Sequence, residues 1–274
     1  MFNVMPAKPE TQTRYLPQER KKRILSMLVE RGRGTVVEIS AELAVSEMTV
    51  RRDLAELETD GKLRRVHGGA VLTETLNPPI MDPLPAHFAA RLALHRESKM
   101  RIARQAAEVA GRYQSVALDI GTTTLAMAEA LVQHERLKIF TNSVRIAHEI
   151  GRYPQAPEVY LAGGKMRDDE MAIVGPSAIE QFQQFWFDIA FISASGITSQ
   201  GIYDSSLDET EMKRVLIRRS GFKVLLCDAA KFQHMSLVQV AEWQDIDLLI
   251  TDSAPPAVLA TALELANVQV MIAT

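Results

Sequence analysis

Between residues 115 and 273 short apolar runs alternate with helical stretches, and no other feature of the sequence restricts the fold as much. Runs of strand length lie at 115–120, 137–142, 158–163, 188–195, 223–228, 237–242, 248–251 and 269–273. Helices are predicted near 123–133, 144–152, 176–185, 208–220 and 256–266, following an amphipathic helix over 97–113. A strand that runs into a helix and on to another strand makes a parallel crossover. The expected architecture is therefore an open α/β domain, with a mostly parallel sheet covered by helices on both faces.

The first quarter of the chain reads differently. Residues 74–88 carry Pro78, Pro79, Pro83 and Pro85, which interrupt helices and sheet ladders alike, so this stretch is read as a semi-rigid linker. It divides a module at 14–73 from a larger domain at 89–274, with a polar tail over residues 1–13. Residues 14–70 hold twelve Lys/Arg against nine Asp/Glu, whereas residues 71–274 hold eighteen against twenty-four. Only the small module has the sign to meet a polyanion.

Several classes are set aside on composition. No apolar run approaches about eighteen residues, so no membrane span and no membrane partner is expected. The N-terminus shows no apolar leader, and Cys227 is the single cysteine, which rules out an internal disulfide and suits a cytoplasmic location. Cys227 itself is read as a small apolar residue in a buried strand. The sequence contains neither a Walker A motif nor a Rossmann glycine pattern. Its six histidines lack zinc-ligand spacing, so no cofactor and no metal is expected.

Within the basic module a first helix over 18–30 buries Ile24, Leu25, Leu28 and Val29, and a second over 36–43 buries Ile39 and Leu43. A turn at Ala44 and Val45 leads to Ser46, a good N-cap for a third helix over 47–59. Val50, Leu54 and Leu57 share one face of that helix. At about 100° per residue, Met48, Arg51, Arg52 and Ala55 then face away. This is a helix-turn-helix whose outward face suits the major groove, where arginine can pair with guanine O6 and N7. Thr49 sits in the first turn, within reach of a phosphate or base edge. Beyond Gly61, two short strands around His67-Gly68-Gly69 form a hairpin wing. Lys62, Arg64, Arg65 and His67 would bring positive charge to the phosphate backbone.

In the larger domain, Asp119-Ile120-Gly121-Thr122-Thr123-Thr124 ends a strand and opens a helix. The helix N-terminus has unpaired N–H groups, and Gly121 lets backbone approach a ligand closely, which is chemistry for holding a phosphate. An ordinary threonine cap is the plain alternative. Polar loops containing Asn142, Gly163-Gly164-Lys165, Gly196 and Asp228-Ala229-Ala230-Lys231 follow other strands at the same edge. Ligands of open α/β sheets bind there. Lys165 and Lys231 would neutralise a phosphate or contact a sugar, the plain alternative being that a lysine after a strand is simply exposed. Glu209 and Lys213, one helical turn apart, also read as a simple surface pair.

The residues Arg20, Ile24, Leu28, Ser46, Thr49-Val50-Arg51-Arg52-Asp53-Leu54 and the wing Arg65-Val66-His67-Gly68-Gly69-Ala70 resemble the signature of the DeoR family of bacterial sugar-metabolism repressors. The resemblance continues through Asp119-x-Gly-Thr-Thr, Thr141-Asn142, Leu-Ala-Gly-Gly, Val174-Gly175-Pro176, Glu209-x-Glu211-x-Lys213-Arg214 and Asp228-x-x-Lys231-Phe232. It implies that Ser46, Thr49, Arg51 and Arg52 face DNA. It also implies a C-terminal domain similar to ribose-5-phosphate isomerase, binding a phosphorylated sugar through Asp119, Gly121, Thr122, Thr123, Asn142, Gly163, Gly164, Glu211, Lys213, Asp228 and Lys231. Two loops depart from the family pattern, Ser193-Ala194-Ser195 and Ala229-Ala230. Asp53 lies toward the core side of its helix and is expected to pair with Arg20.

The function expected is a sequence-specific DNA-binding regulator of carbohydrate metabolism, a repressor released from operator DNA by a phosphorylated sugar. One winged module reads too few base pairs for specificity, so a homo-oligomer, dimer or tetramer, on paired half-sites is expected. Two rivals compete. A sugar-phosphate isomerase with an accessory DNA-binding domain needs a poised carboxylate, and the loop over 193–196 has none. A purely dimerising domain does not call for Asp119-x-Gly-Thr-Thr or Asp228-x-x-Lys.

Overall fold

The computed structural model describes residues 15–72, 80–81 and 87–274. The expected polar tail and most of the expected linker lie outside these residues. The chain separates into two compact units, residues 1–77 and 78–274.

The first unit opens with α1 (Pro17–Arg31), whose proline at the first helical position needs no hydrogen-bond partner for its nitrogen. Gly32 closes it in a left-handed turn. Strand β1 (Arg33–Thr35) follows, then α2 (Val36–Leu43), started by a reciprocal cap between Thr35 and Glu38. Ala44 turns the chain, and Ser46 caps α3 (Glu47–Thr59) by accepting from the Thr49 N–H at 3.2 Å. Ile24, Leu28, Ile39, Leu43, Val50, Leu54 and Leu57 form the buried centre. Val29 is only half-buried, and Met27 takes a core place instead. The wing comprises β2 (Arg64–Val66) and β3 (Gly69–Val71), with β1 added on the far side of β3 to make a three-stranded antiparallel sheet. The sequence suggested only two strands there, because Arg31-Gly32-Arg33-Gly34 carries a helix stop that masks a strand. The third strand depends on Gly69, where a Cβ would lie 2.3 Å from the Gly34 carbonyl oxygen.

The second unit begins with β4 (Ile80–Met81) and α4 (Phe88–Ala93), then α5 (Arg96–Ala110). Helix α4 lies partly where the linker was expected. Strand β5 (Ser115–Leu118), α6 (Thr122–Leu131), β6 (Lys138–Thr141), α7 (Val144–Gly151) and β7 (Glu158–Leu161) build one half. A hairpin of β8 (Lys165–Arg167) and β9 (Ala172–Val174) and helix α8 (Pro176–Gln183) lead to β10 (Phe187–Ser193). After β11 (Gly196–Thr198) and β12 (Gly201–Asp204) come α9 (Leu207–Arg218) and β13 (Ser220–Leu226). Strands β14 (His234–Met235), β15 (Val238–Ala241) and β16 (Leu248–Thr251), helix α10 (Ala257–Leu265) and strand β17 (Gln269–Ile272) complete the chain.

Seven strands form one all-parallel sheet in the order β17-β16-β13-β10-β5-β6-β7. Because side chains alternate across a strand, Val116, Leu118, Ile189 and Phe191 pack into one core with α5, α6 and α7. Ala117, Ala190 and Ile192 pack into the other with α8, α9 and α10. The residues at 237–242 were expected in this sheet but belong to a separate antiparallel one, β11-β12-β15. Their half-buried alternation, with Gln239 exposed, suits a strand covered on one side only. The chain winds outward in one direction from β5 and in the other from β10, so their carboxyl ends flank the point where the winding reverses. A crevice opens at such a point.

Candidate nucleic-acid interface and effector cleft

On α3 the outward face is as expected from the periodicity. The Met48, Arg51 and Arg52 side chains are exposed, Arg51 within 3.2 Å of Glu47 and Arg52 within 3.1 Å of Glu56. Ser46 and Thr49 join hydroxyls at 2.9 Å, so the cap also orients Thr49. Arg64, Arg65 and His67 are exposed on the wing, and Lys62 is half-buried. The Arg65 backbone N–H donates to Glu58 at 2.8 Å, tying the wing to α3. Arg20 grips Asp53 with two hydrogen bonds, 2.5 and 2.9 Å, as expected. This pair is shielded from water and fixes α3 against α1, so the exposed face is held on a braced helix.

At the winding reversal in the second unit lies a cleft of about 450 Å³. Gly121, Thr122 and Thr123 form one wall, and the loop Ser193-Ala194-Ser195 forms another. No side chain caps α6, which leaves its first N–H groups without a capping acceptor at the cleft wall. A Cβ at Gly121 would fall 2.6 Å from the Ser193 hydroxyl, so only glycine brings these walls together. His87, Phe88 and Arg91 close a third side from α4 and the residue before it. Arg167, Asp169 and Glu170 enter from the β8–β9 hairpin, Asp204 from the end of β12, Ser206 and Glu209 from the start of α9, and Lys231 from the loop after β13.

The charges in this cleft are ordered. Arg167 bonds Glu209 at 2.8 Å, and Arg91 bonds Glu170. Lys231 reaches the Ala194 carbonyl at 2.5 Å, bracing that loop. Beneath the floor, Lys213 is 1% exposed and bonded to Asp119, with Asp204 at 3.3 Å and the Ser193 carbonyl at 3.2 Å. Burial works against its ammonium, but Asp119, Asp204 and Glu209 outweigh it and hold the pKa above the ordinary lysine range. Burial likewise pushes the Glu209 carboxyl up to about 7, and it pushes the Cys227 thiol, fully buried as the sequence suggested, up to about 12.

Of the residues expected to touch an effector, Gly121, Thr122, Thr123 and Lys231 line the cleft together. Asp119 and Lys213 lie just below it as a buried ion pair. The others are elsewhere. Asn142 is buried and donates to the Ile173 carbonyl, fastening β9. Gly163 is held by Gln181, Gly164 lies against Ile173, and Lys165 is exposed at the start of β8. Glu211 points outward and pairs with Arg214 at 2.9 Å, while Asp228 is buried as the cap of the turn over 229–231. Glu209, one half-turn from Glu211, is the carboxylate of α9 that lines the cleft. His87, Arg91, Arg167 and Glu170 escaped the sequence reading because they lie on α4 and the β8–β9 hairpin, elements whose periodicity is too short to register. Among the described residues there is no cluster of three or more potential metal-ligating side chains, and no helix is long and apolar enough to cross a membrane.

A braced helix-turn-helix with a basic wing, joined to a parallel-sheet unit with a polar cleft, defines a DNA-binding transcriptional regulator with a sensor domain. The sequence pattern of the DeoR-like helix-turn-helix domain matches residues 20–75, and that of the DeoR C terminal sensor domain matches residues 94–253. The chain belongs to the DeoR family. It is 34% identical to the HTH-type transcriptional regulator GolR of Listeria innocua, over 86% of this chain and 91% of that protein. It is 32% identical to the glycerol-3-phosphate regulon repressor of Escherichia coli, over 87% and 92%. These relatives are named as regulators rather than enzymes, so the isomerase alternative is set aside. A solved ribose-5-phosphate isomerase, in complex with phospho-erythronic acid, aligns with 50% of this chain and 54% of its own at 14% identity and a TM-score of 0.38.

Proposed function

We propose that the chain is a cytoplasmic repressor of a carbohydrate-utilisation operon, released from its operator when a phosphorylated sugar or polyol enters the cleft. The observation that carries this reading is the convergence of the open N-terminus of α6 with Arg91, Arg167 and Lys231 on one cleft. A phosphate would sit on the N–H groups and hydroxyls of residues 121–123, and the carboxylates of Asp204 and Glu209 would accept hydrogen bonds from the sugar hydroxyls. The name of the Escherichia coli relative supports a small phosphorylated polyol as the first compound to try.

Residues 14–73 act as the DNA-binding head, residues 74–88 as the connection, and residues 89–274 as the sensor and oligomerisation unit. Ser46, Met48, Thr49, Arg51 and Arg52 enter the major groove, while Lys62, Arg64, Arg65 and His67 follow the phosphates. A dimer or tetramer presents paired heads to paired half-sites. The signal leaves the cleft through α4, the first helix after the connection, because Phe88 and Arg91 on that helix line the cleft. An effector that favours one placement of α4 shifts the balance between head arrangements.

Gel shifts on DNA upstream of neighbouring genes test this, repeated with sugar and polyol phosphates and with the same compounds lacking phosphate. Release by a phosphorylated compound alone, with a matching rise in melting temperature, is the expected result. Equal effects from the phosphate-free compounds, or none from any, would sink the assignment.

A further inference from the structure

Met48 is 75% exposed on the face of α3 that carries Arg51 and Arg52. It sits at the second position of the helix, in the turn that enters a groove first. Its neighbours are occupied otherwise: Arg51 and Arg52 have carboxylate partners one helical turn away, and Thr49 shares a hydroxyl contact with Ser46. An apolar side chain of this size gains nothing in water, and the head's own core is closed without it. Among the groups that distinguish one base pair from another in the major groove, the C5-methyl of thymine is the apolar one and the rest are hydrogen-bond donors or acceptors.

We propose that Met48 is a specificity-determining residue that reads a thymine methyl in each operator half-site, beside the bases contacted by Arg51 and Arg52. The proposal rests on the assignment of α3 as the recognition helix. It adds which base the one large apolar side chain on that helix's exposed face selects. Periodicity places Ala55 on the same face two turns further on, and its small side chain lets the helix settle deep enough for a thioether to reach the groove floor. Methionine is suited to the task, since its unbranched, polarizable chain adapts to a methyl group without a fixed rotamer.

The test uses the full chain and its Met48→Ala variant, each selecting sites from a randomised duplex library. In the best wild-type site, each enriched thymine is then replaced in turn by uracil, which removes the methyl and nothing else. One replacement is expected to weaken wild-type binding about fourfold, the factor supplied by burying one methyl-sized group. Met48→Ala should lose the thymine preference at that position and bind the thymine and uracil duplexes equally. The proposal is overturned if no uracil replacement separates the two proteins, or if each replacement weakens both by the same factor. A wild-type protein that enriches no sequence at all would instead remove the recognition-helix assignment, and the proposal with it. Met48 is exposed, so the variant is expected to fold, and its melting temperature serves as the control.

Discussion

Glu209 and Lys213 lie one turn apart on α9, both largely withdrawn from water, and their surroundings raise both pKa values, which keeps the lysine's charge and opposes the glutamate's. Lys213 meets three carboxylates and keeps its charge. For Glu209 burial dominates; Lys213 and Arg167 oppose the shift while Asp204 and Glu170 add to it, and the carboxyl titrates near 7 instead of the ordinary 4.5. A carboxyl with a raised folded-state pKa takes up a proton on folding between those two values. Its stabilising contribution is therefore complete below about pH 4.5 and disappears as the pH rises through 7. The term amounts to at most about 3 kcal/mol at 1.36 kcal/mol per pH unit. Wild-type melting temperature should fall by several degrees between pH 5 and pH 8, and the fall should be distinctly smaller in Glu209→Gln. Identical pH profiles would show that Glu209 is not the group responsible. Neither side chain's burial was readable from the sequence, where the pair read either as two charges on a surface or, for Lys213 through the family resemblance, as an effector contact.

Elements with strong periodicity were legible from the order of residues alone. The three helices of the head emerged within a residue or two of their ends, because Ser46 and the spacing of Val50, Leu54 and Leu57 leave little choice. All seven strands of the parallel sheet were located, each a near-continuous apolar run. What stayed hidden were short pieces whose partners are distant: β1 in the wing, the β8–β9 hairpin, and α4. A three-residue strand has no periodicity of its own and exists through its pairing. Four of the expected effector residues line the cleft, but its arginines come from these hidden pieces. Within the head Gly69 is the glycine most sensitive to substitution, since β1 and β3 meet there without room for a side chain. Gly69→Ala should destabilise the head by about 1–3 kcal/mol, as overpacking does. Calorimetry on the full chain would show the head's transition lowered and the sensor's unmoved; an unchanged head transition would show that the wing relaxes around the methyl group.

Across the whole molecule the formal charge is −3, although the head alone is positive. Operator affinity should still fall steeply with salt, because the counterions released are those around the phosphates facing the head. Replacing Arg64 by alanine should reduce the slope of log affinity against log salt by about 1. A slope unaltered by Arg64→Ala would place the wing away from the backbone. One consequence of the strand order reaches back to the chain's birth. The described elements of the head end with β3 and Leu72, whereas β5 at the sheet's centre waits for β10 some seventy residues later, and the outermost pairing waits for β17. At about 5–20 residues per second, roughly ten to forty seconds separate a finished head from a finished sensor. During that interval each nascent chain is a grip without a release. If pairing of heads depends on the later unit, as proposed, the newborn head holds DNA too weakly to silence anything before it can be told to let go.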